Sequence, residues 1–167
     1  MTTERARLAA SIGFGAARLA LGALWLHEGW FKYAAHFGRA DILLVAHGAT
    51  GNTRVPGYFD VFAESVLDRW PSVLGFIVPL AEVSLGVALI VGILTLPAAA
   101  ASAMTLMMYW SSDQLIAQYP VMGALSVVVL IWPLPAARIS ATALLMRRRW
   151  SDPRLRALIE GPLRRWL

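Results

Sequence analysis

The chain has 167 residues, 58% of them hydrophobic and only 15% charged, with a net charge of +5. A soluble domain of this length is nearer half apolar and a quarter charged, so a mean hydropathy of +0.60 points away from water and toward a bilayer. The absence of cysteine rules out disulfides, thiol redox chemistry and thiolate metal sites.

The N-terminus places Glu4, Arg5 and Arg7 ahead of an apolar run. The pattern superficially resembles a signal peptide and reads here as a retained anchor. A first helix is predicted over Ile12–Ala34. Its segment "LALGALWLHEGWFKY" carries His27, Glu28 and Lys32 within an otherwise apolar stretch. A loop over about residues 35–71 follows. Within it, "YFDVFAESVLDRW" sets Phe59, Phe62, Val66 and Trp70 at helical spacing, which predicts a short amphipathic helix on the outer surface. His36, Asp41 and His47 share this loop without metal-ligand spacing, so no metal site is expected.

A second helix is predicted over Ser72–Leu94 and ends at "LTLP", a tight link. The third covers Pro97–Ala117, with Pro97 in the first turn. A fourth starts near Pro120 and meets Pro133 and Pro135, which should kink or break it. The tail from Arg147 onward holds Arg148, Arg149, Arg154, Arg156, Arg164 and Arg165. Asp152–Pro153 opens a short helix there, Leu155, Leu158 and Ile159 form its stripe, and Gly161–Pro162 stops it.

A bilayer core takes about 20 apolar residues per helical crossing, so these windows predict an all-α, polytopic bundle of four transmembrane helices over residues 1–146. Four crossings leave both termini on one side, and the arginines make that side cytoplasmic. Residues 147–167 then form an interfacial helix on anionic lipid headgroups. The basic tail abuts a span, so no nucleic-acid role is expected.

At 100° per residue, Arg18, Gly22, Trp25, Gly29 and Lys32 share one face of the first helix, with Glu28 at its edge and His27 opposite. Gly75, Pro79, Glu82 and Gly86 share a face of the second. Ala98, Ser102, Thr105, Tyr109 and Ser112 share one of the third, with Asp113 adjacent. Stripes of small and polar residues let membrane helices approach closely and should line the interior. At 1.5 Å per residue, Glu82 lies roughly 20 Å from the inner edge, Glu28 and Asp113 roughly 24 Å, and Arg18 roughly 9 Å. The three carboxylates are therefore expected to converge in the outer half of the bilayer. Lys32 reaches Glu28 one turn back.

Charged side chains at such depth are costly and tend to be functional. The functional reading is a polar cavity built from Glu28, Lys32, Glu82, Asp113 and Tyr109, with Trp25, Trp30 and Trp110 as flat walls. It would suit a quinone headgroup, an anion or a proton relay. The structural reading makes Glu28, Lys32 and Glu82 interhelical glue and Trp30 and Trp110 interface aromatics.

"ARLALGALWLHEGWFKY" followed by "PLAEVSLGVALIVGILTLPAAAASAMTLMM" resembles the DoxX/DoxD family of small four-helix membrane proteins. The likeness rests on Arg18, Gly22, Trp25, Gly29 and Lys32 in the first helix and on Glu82, Gly86 and Gly92 in the second. It covers most of residues 14–132. "GWFK" and "YPVMGAL" lean toward the DoxD branch, the membrane subunit of thiosulfate:quinone oxidoreductase.

The resemblance implies a bacterial inner-membrane protein linked to sulfur oxidation or respiratory electron transfer, with quinone as acceptor. The family carries over no catalytic residues; on the chemistry of the residues themselves, Glu82 would be the proton acceptor and Arg18 and Lys32 the headgroup or anion donors. The alternative is a non-catalytic accessory subunit that docks against other membrane subunits through its apolar faces, outer helix and basic tail. Four helices without an inverted repeat offer little for a transporter.

Overall fold

The structure, a computed structural model, describes residues 2–133. The Pro135 kink and the basic tail lie outside the described residues. Those described contain no strand: α1 (Thr2–Ala34), α2 (Arg39–Ala49), α3 (Gly57–Phe62) running into a π-turn (Ala63–Leu67), α4 (Pro71–Val91), α5 (Thr95–Ser111) and α6 (Tyr119–Ile131).

Two helices are long and apolar enough to cross a membrane, α1 over Glu4–Ala34 and α4 over Pro71–Val91. α5 has 17 residues and α6, which is apolar, has 13.

α1 begins ten residues before the predicted Ile12, in a stretch rich in good helix formers (Leu8, Ala9, Ala10). The bilayer-length apolar window marks where charge stops, not where the helix starts. α4 ends at Val91, three residues short of the expected Leu94, because a glycine follows. Gly92 adopts φ 75° and its N–H bonds to the Ala88 carbonyl at 2.8 Å, a left-handed C-terminal cap that glycine enters without strain. α5 stops at Ser111, six residues short of the expected Ala117, because Asp113 turns into the left-handed region at φ 63°. α6 ends at Ile131, ahead of Pro133.

The four longer helices close a ring in the order α1, α4, α5, α6, so α1 and α5 face each other diagonally. The closest pair is α1 with α4, running antiparallel. A Cβ added to Gly22 would lie 3.0 Å from the Gly86 carbonyl oxygen, one on Gly29 3.1 Å from the Pro79 oxygen, and one on Gly86 2.8 Å from the Leu26 nitrogen. The glycines of both stripes are thus where two backbones meet, the small-residue packing of membrane helices.

The ring's core holds Leu21, Trp25, Leu89, Ala98, Leu106, Tyr119 and Met122. Its outer faces carry Phe76 at 64% exposure, Met104 at 71% and Ile131 at 57%. Thr105, expected on the inner face of α5, is half-buried and returns its hydroxyl to the Ala101 carbonyl at 2.9 Å, and Leu106 beside it is buried.

The segment between α1 and α4 is a small cap with its own core: Ile42, Ala46 and Ala49 of α2 against Phe59, Ala63 and Leu67. The predicted helix in "YFDVFAESVLDRW" is present, but its buried stripe differs from the expected one. Phe62 and Val66 are half-buried and Trp70 is 56% exposed. The helix closes at Leu67 with Asp68 N–H on the Ala63 carbonyl (2.9 Å), and Trp70 already leads into α4 with a non-helical φ of −126°.

Candidate functional site

The polar residues of three helices and one loop meet near the cap end of the ring. Lys32 extends from the last turn of α1 between two carboxylates, with its Nζ 2.5 Å from Glu82 Oε1 and 3.4 Å from Glu28 Oε2. Tyr109 of α5 donates its hydroxyl to Glu82 Oε1 at 2.5 Å. On the far side, Gln118 Nε2 donates to Glu28 Oε1, and the Tyr119 hydroxyl donates to Glu28 Oε2 at 3.3 Å. The ammonium also lies 5.2 Å from the Tyr109 ring centre and 5.8 Å from that of Phe37, within cation–π range.

Glu82 is 1% exposed and Glu28 6%. Two carboxylates share one ammonium, so the centre carries one negative charge more than its cation offsets when both are ionised. A buried pair repays its desolvation only with good geometry and further hydrogen bonds. Glu28 has three donors around it. Glu82 does not: its Oε2 is buried and, among the described residues, has no hydrogen-bond partner. A buried acceptor of this kind holds a proton, an ordered water or the O–H or N–H of a guest.

Glu28, Lys32, Glu82 and Tyr109 therefore come together as the pattern of the sequence indicates. The other expected members do not. Arg18 donates to the carbonyls of Leu89 and, at 3.0 Å, Ile90, where it satisfies the C-terminal end of α4 far below the carboxylates. Trp25 is fully buried in the core, its indole N–H on Ser102 Oγ at 2.7 Å, and Ser102 pairs with Ser126 at 2.7 Å. Its ring meets Tyr109 at 6.4 Å, so it supports that tyrosine and leaves the carboxylates alone.

Asp113 faces the cap, 2.5 Å from Arg54 Nη2 and 3.1 Å from Asn52 Nδ2. Three carboxylates do not converge; two do. Asp113 departs because α5 ends before it and the chain turns away. Trp30 and Trp110 are 72% and 58% exposed, so they line no interior wall. His27 is exposed on the opposite face of α1. Asp41 caps its own helix by accepting the Gly38 N–H at 2.8 Å, and His47 lies 3.4 Å from Asp68 in an exposed pair. Among the described residues no three His, Asp or Glu side chains gather as a metal site would require.

Gln118 and Tyr119 are the residues that sequence reasoning missed. Gln118 is the residue before α6 and Tyr119 its first, and the Tyr119–Pro120 pair that marks the helix start was their only signal. The Tyr119 and Tyr109 rings lie 5.4 Å apart with planes tilted by 30°, so the phenols that donate to the two carboxylates touch each other. No protein-family model matches this chain, and neither curated proteins nor solved structures show a significant similarity to it.

Proposed function

We propose that this chain is an integral membrane subunit of DoxX/DoxD type, four helices crossing the bilayer, whose Glu28–Lys32–Glu82 centre serves quinone-linked electron transfer by holding the proton exchanged with a bound headgroup. The inside-out patterning supports the membrane reading: charges and glycines face inward while Phe76, Met104 and Ile131 face outward. The observation that carries the functional reading is Glu82 Oε2, a buried acceptor without a partner beside a phenol and an ammonium.

The residues fit such a headgroup. Glu82 offers the free acceptor, Lys32 positions its carboxylate, and Tyr109 and Tyr119 form the aromatic support. Quinone supplies two-electron carrier chemistry, and the electrons come from the substrate oxidised by a partner subunit. This chain's part is the proton. Glu82 holds it at Oε2, Lys32 balances the charge left when it departs, and Gln118 with Tyr119 keeps Glu28 anchored throughout.

A second reading has its own observation. Every other polar group of the centre is bonded directly within the protein, as expected of interhelical glue in an accessory subunit. Purification in mild detergent, with mass spectrometry of the co-purifying lipids and proteins, separates the two. A stoichiometric quinone that Glu82→Gln releases supports the electron-transfer reading. A large complex with no quinone on this subunit refutes it and leaves the accessory role.

A further inference from the structure

The cap is attached to the ring in two unlike ways. On the α4 side the contact is apolar and very close. A Cβ on Gly75 would meet the Gly38 carbonyl carbon at 2.6 Å, and Leu74 and Val78 pack against the cap's core. On the α5 side it is polar and superficial. Asp113 Oδ2 takes Arg54 Nη2 at 2.5 Å and Asn52 Nδ2 at 3.1 Å, and the Tyr58 hydroxyl meets Ser111 Oγ. The Arg54 side chain is 69% exposed, so this pair is weak and screened by salt.

The residues that hold the cap also hold the polar centre. In the last turn of α5, Met108 packs on the cap's core while its neighbour Tyr109 donates to Glu82, and Ser111, with Asp113 just past the helix end, makes the polar contacts. At the cap's other edge, Phe37 belongs to the cap's core and its ring lies 5.8 Å from Lys32 Nζ. The Lys32 side chain keeps 13% exposure against 1% for Glu82, so solvent touches the centre at Lys32, beside Phe37.

We infer that the cap is a latched lid over the Glu28–Lys32–Glu82 centre, with Arg54, Asn52 and Asp113 as the latch and the Gly38–Gly75 contact as the hinge side. Release of the latch lets water and small solutes reach Glu82. This rests on the reading of the centre as a proton-exchanging site and adds how that exchange is gated.

Because the chain lacks cysteine, Val78→Cys introduces a single thiol under the cap, one turn from Glu82. The readout is its rate of modification by a charged, membrane-impermeant methanethiosulfonate in the full chain. Adding Asp113→Asn or Arg54→Gln is expected to raise that rate about fivefold, the release of one exposed ion pair. Salt at about 1 M should raise it in the Val78→Cys protein and leave the latch variants unchanged.

Equal rates in all three proteins would overturn the lid. So would a rise in the latch variants with no salt response in their parent, which marks local misfolding instead of a released ion pair. The labelling needs no quinone. A gated rate without quinone recovery refutes the functional proposal and keeps the lid, and quinone recovery with an ungated rate does the reverse.

Discussion

Where α1 meets α4 the contact surface is glycine backbone and charged side chains, with Arg18, Glu28 and Glu82 each no more than 6% exposed. Where α2 meets α3 and the π-turn it is Ile42, Ala46, Phe59, Ala63 and Leu67, and four charged residues of the cap (Arg39, Glu64, Asp68 and Arg69) point outward, while Asp41 and Asp60 are half-buried. The cap follows the rule of proteins in water, in which association comes from removing apolar surface from solvent. On the proposed membrane reading the ring follows the other rule. Lipid gives no hydrophobic incentive to bring helices together, so close packing and interhelical hydrogen bonds would do so. On that reading one chain uses two solvents, with the change between Phe37 and Pro71.

The contrast can be broken from either side. Lys32→Met leaves two buried carboxylates facing each other and should cost about 3–5 kcal/mol of ring stability, read as a fall in detergent unfolding temperature. A Lys32→Met/Glu82→Gln double variant should recover much of that loss, since it removes the uncompensated charge. Phe59→Ala should cost the cap a comparable amount, about 3–5 kcal/mol, yet leave the ring's unfolding unchanged. Hydrogen exchange would then rise over residues 39–67 and stay slow in α1 and α4.

A smaller effect, about 1–3 kcal/mol, is expected for Gly86→Ala, whose new methyl must push Leu26 and its backbone away. It should loosen the α1–α4 pair and leave the cap's exchange as it was. Smallest is Ser126→Ala, which nearly keeps the packing and removes one hydroxyl from Ser102, at about 1 kcal/mol. A loss well above that would mean the Trp25–Ser102–Ser126 chain acts as a unit.

Much of the ring was legible in advance. The positions of Arg18, Gly22, Trp25, Gly29 and Lys32 on one face, and of Gly75, Pro79, Glu82 and Gly86 on another, follow from 3.6-residue periodicity, and all but the half-buried Lys32 are buried. The cap was harder to read. α2 was missed because its buried stripe, Ile42, Ala46 and Ala49, is mostly alanine and gives little hydrophobic contrast. In the stripe of α3, the small side chain at Ala63 concealed the inward face and Phe62 suggested a different one.

What the sequence alone determined is therefore local: apolar helices, the polar side of each and the Lys32–Glu28 pair one turn apart. What only the tertiary structure decided is which polar groups share a site. Glu82 joins Lys32 across 50 residues and Glu28 joins Gln118 across 90, while Asp113, at nearly the same expected depth, goes to Arg54 instead. Periodicity fixes the direction of a side chain around its own helix axis. It carries no information on how one axis is rotated and shifted against the next, or on where the chain turns between them, and those are the quantities that bring two carboxylates to one lysine.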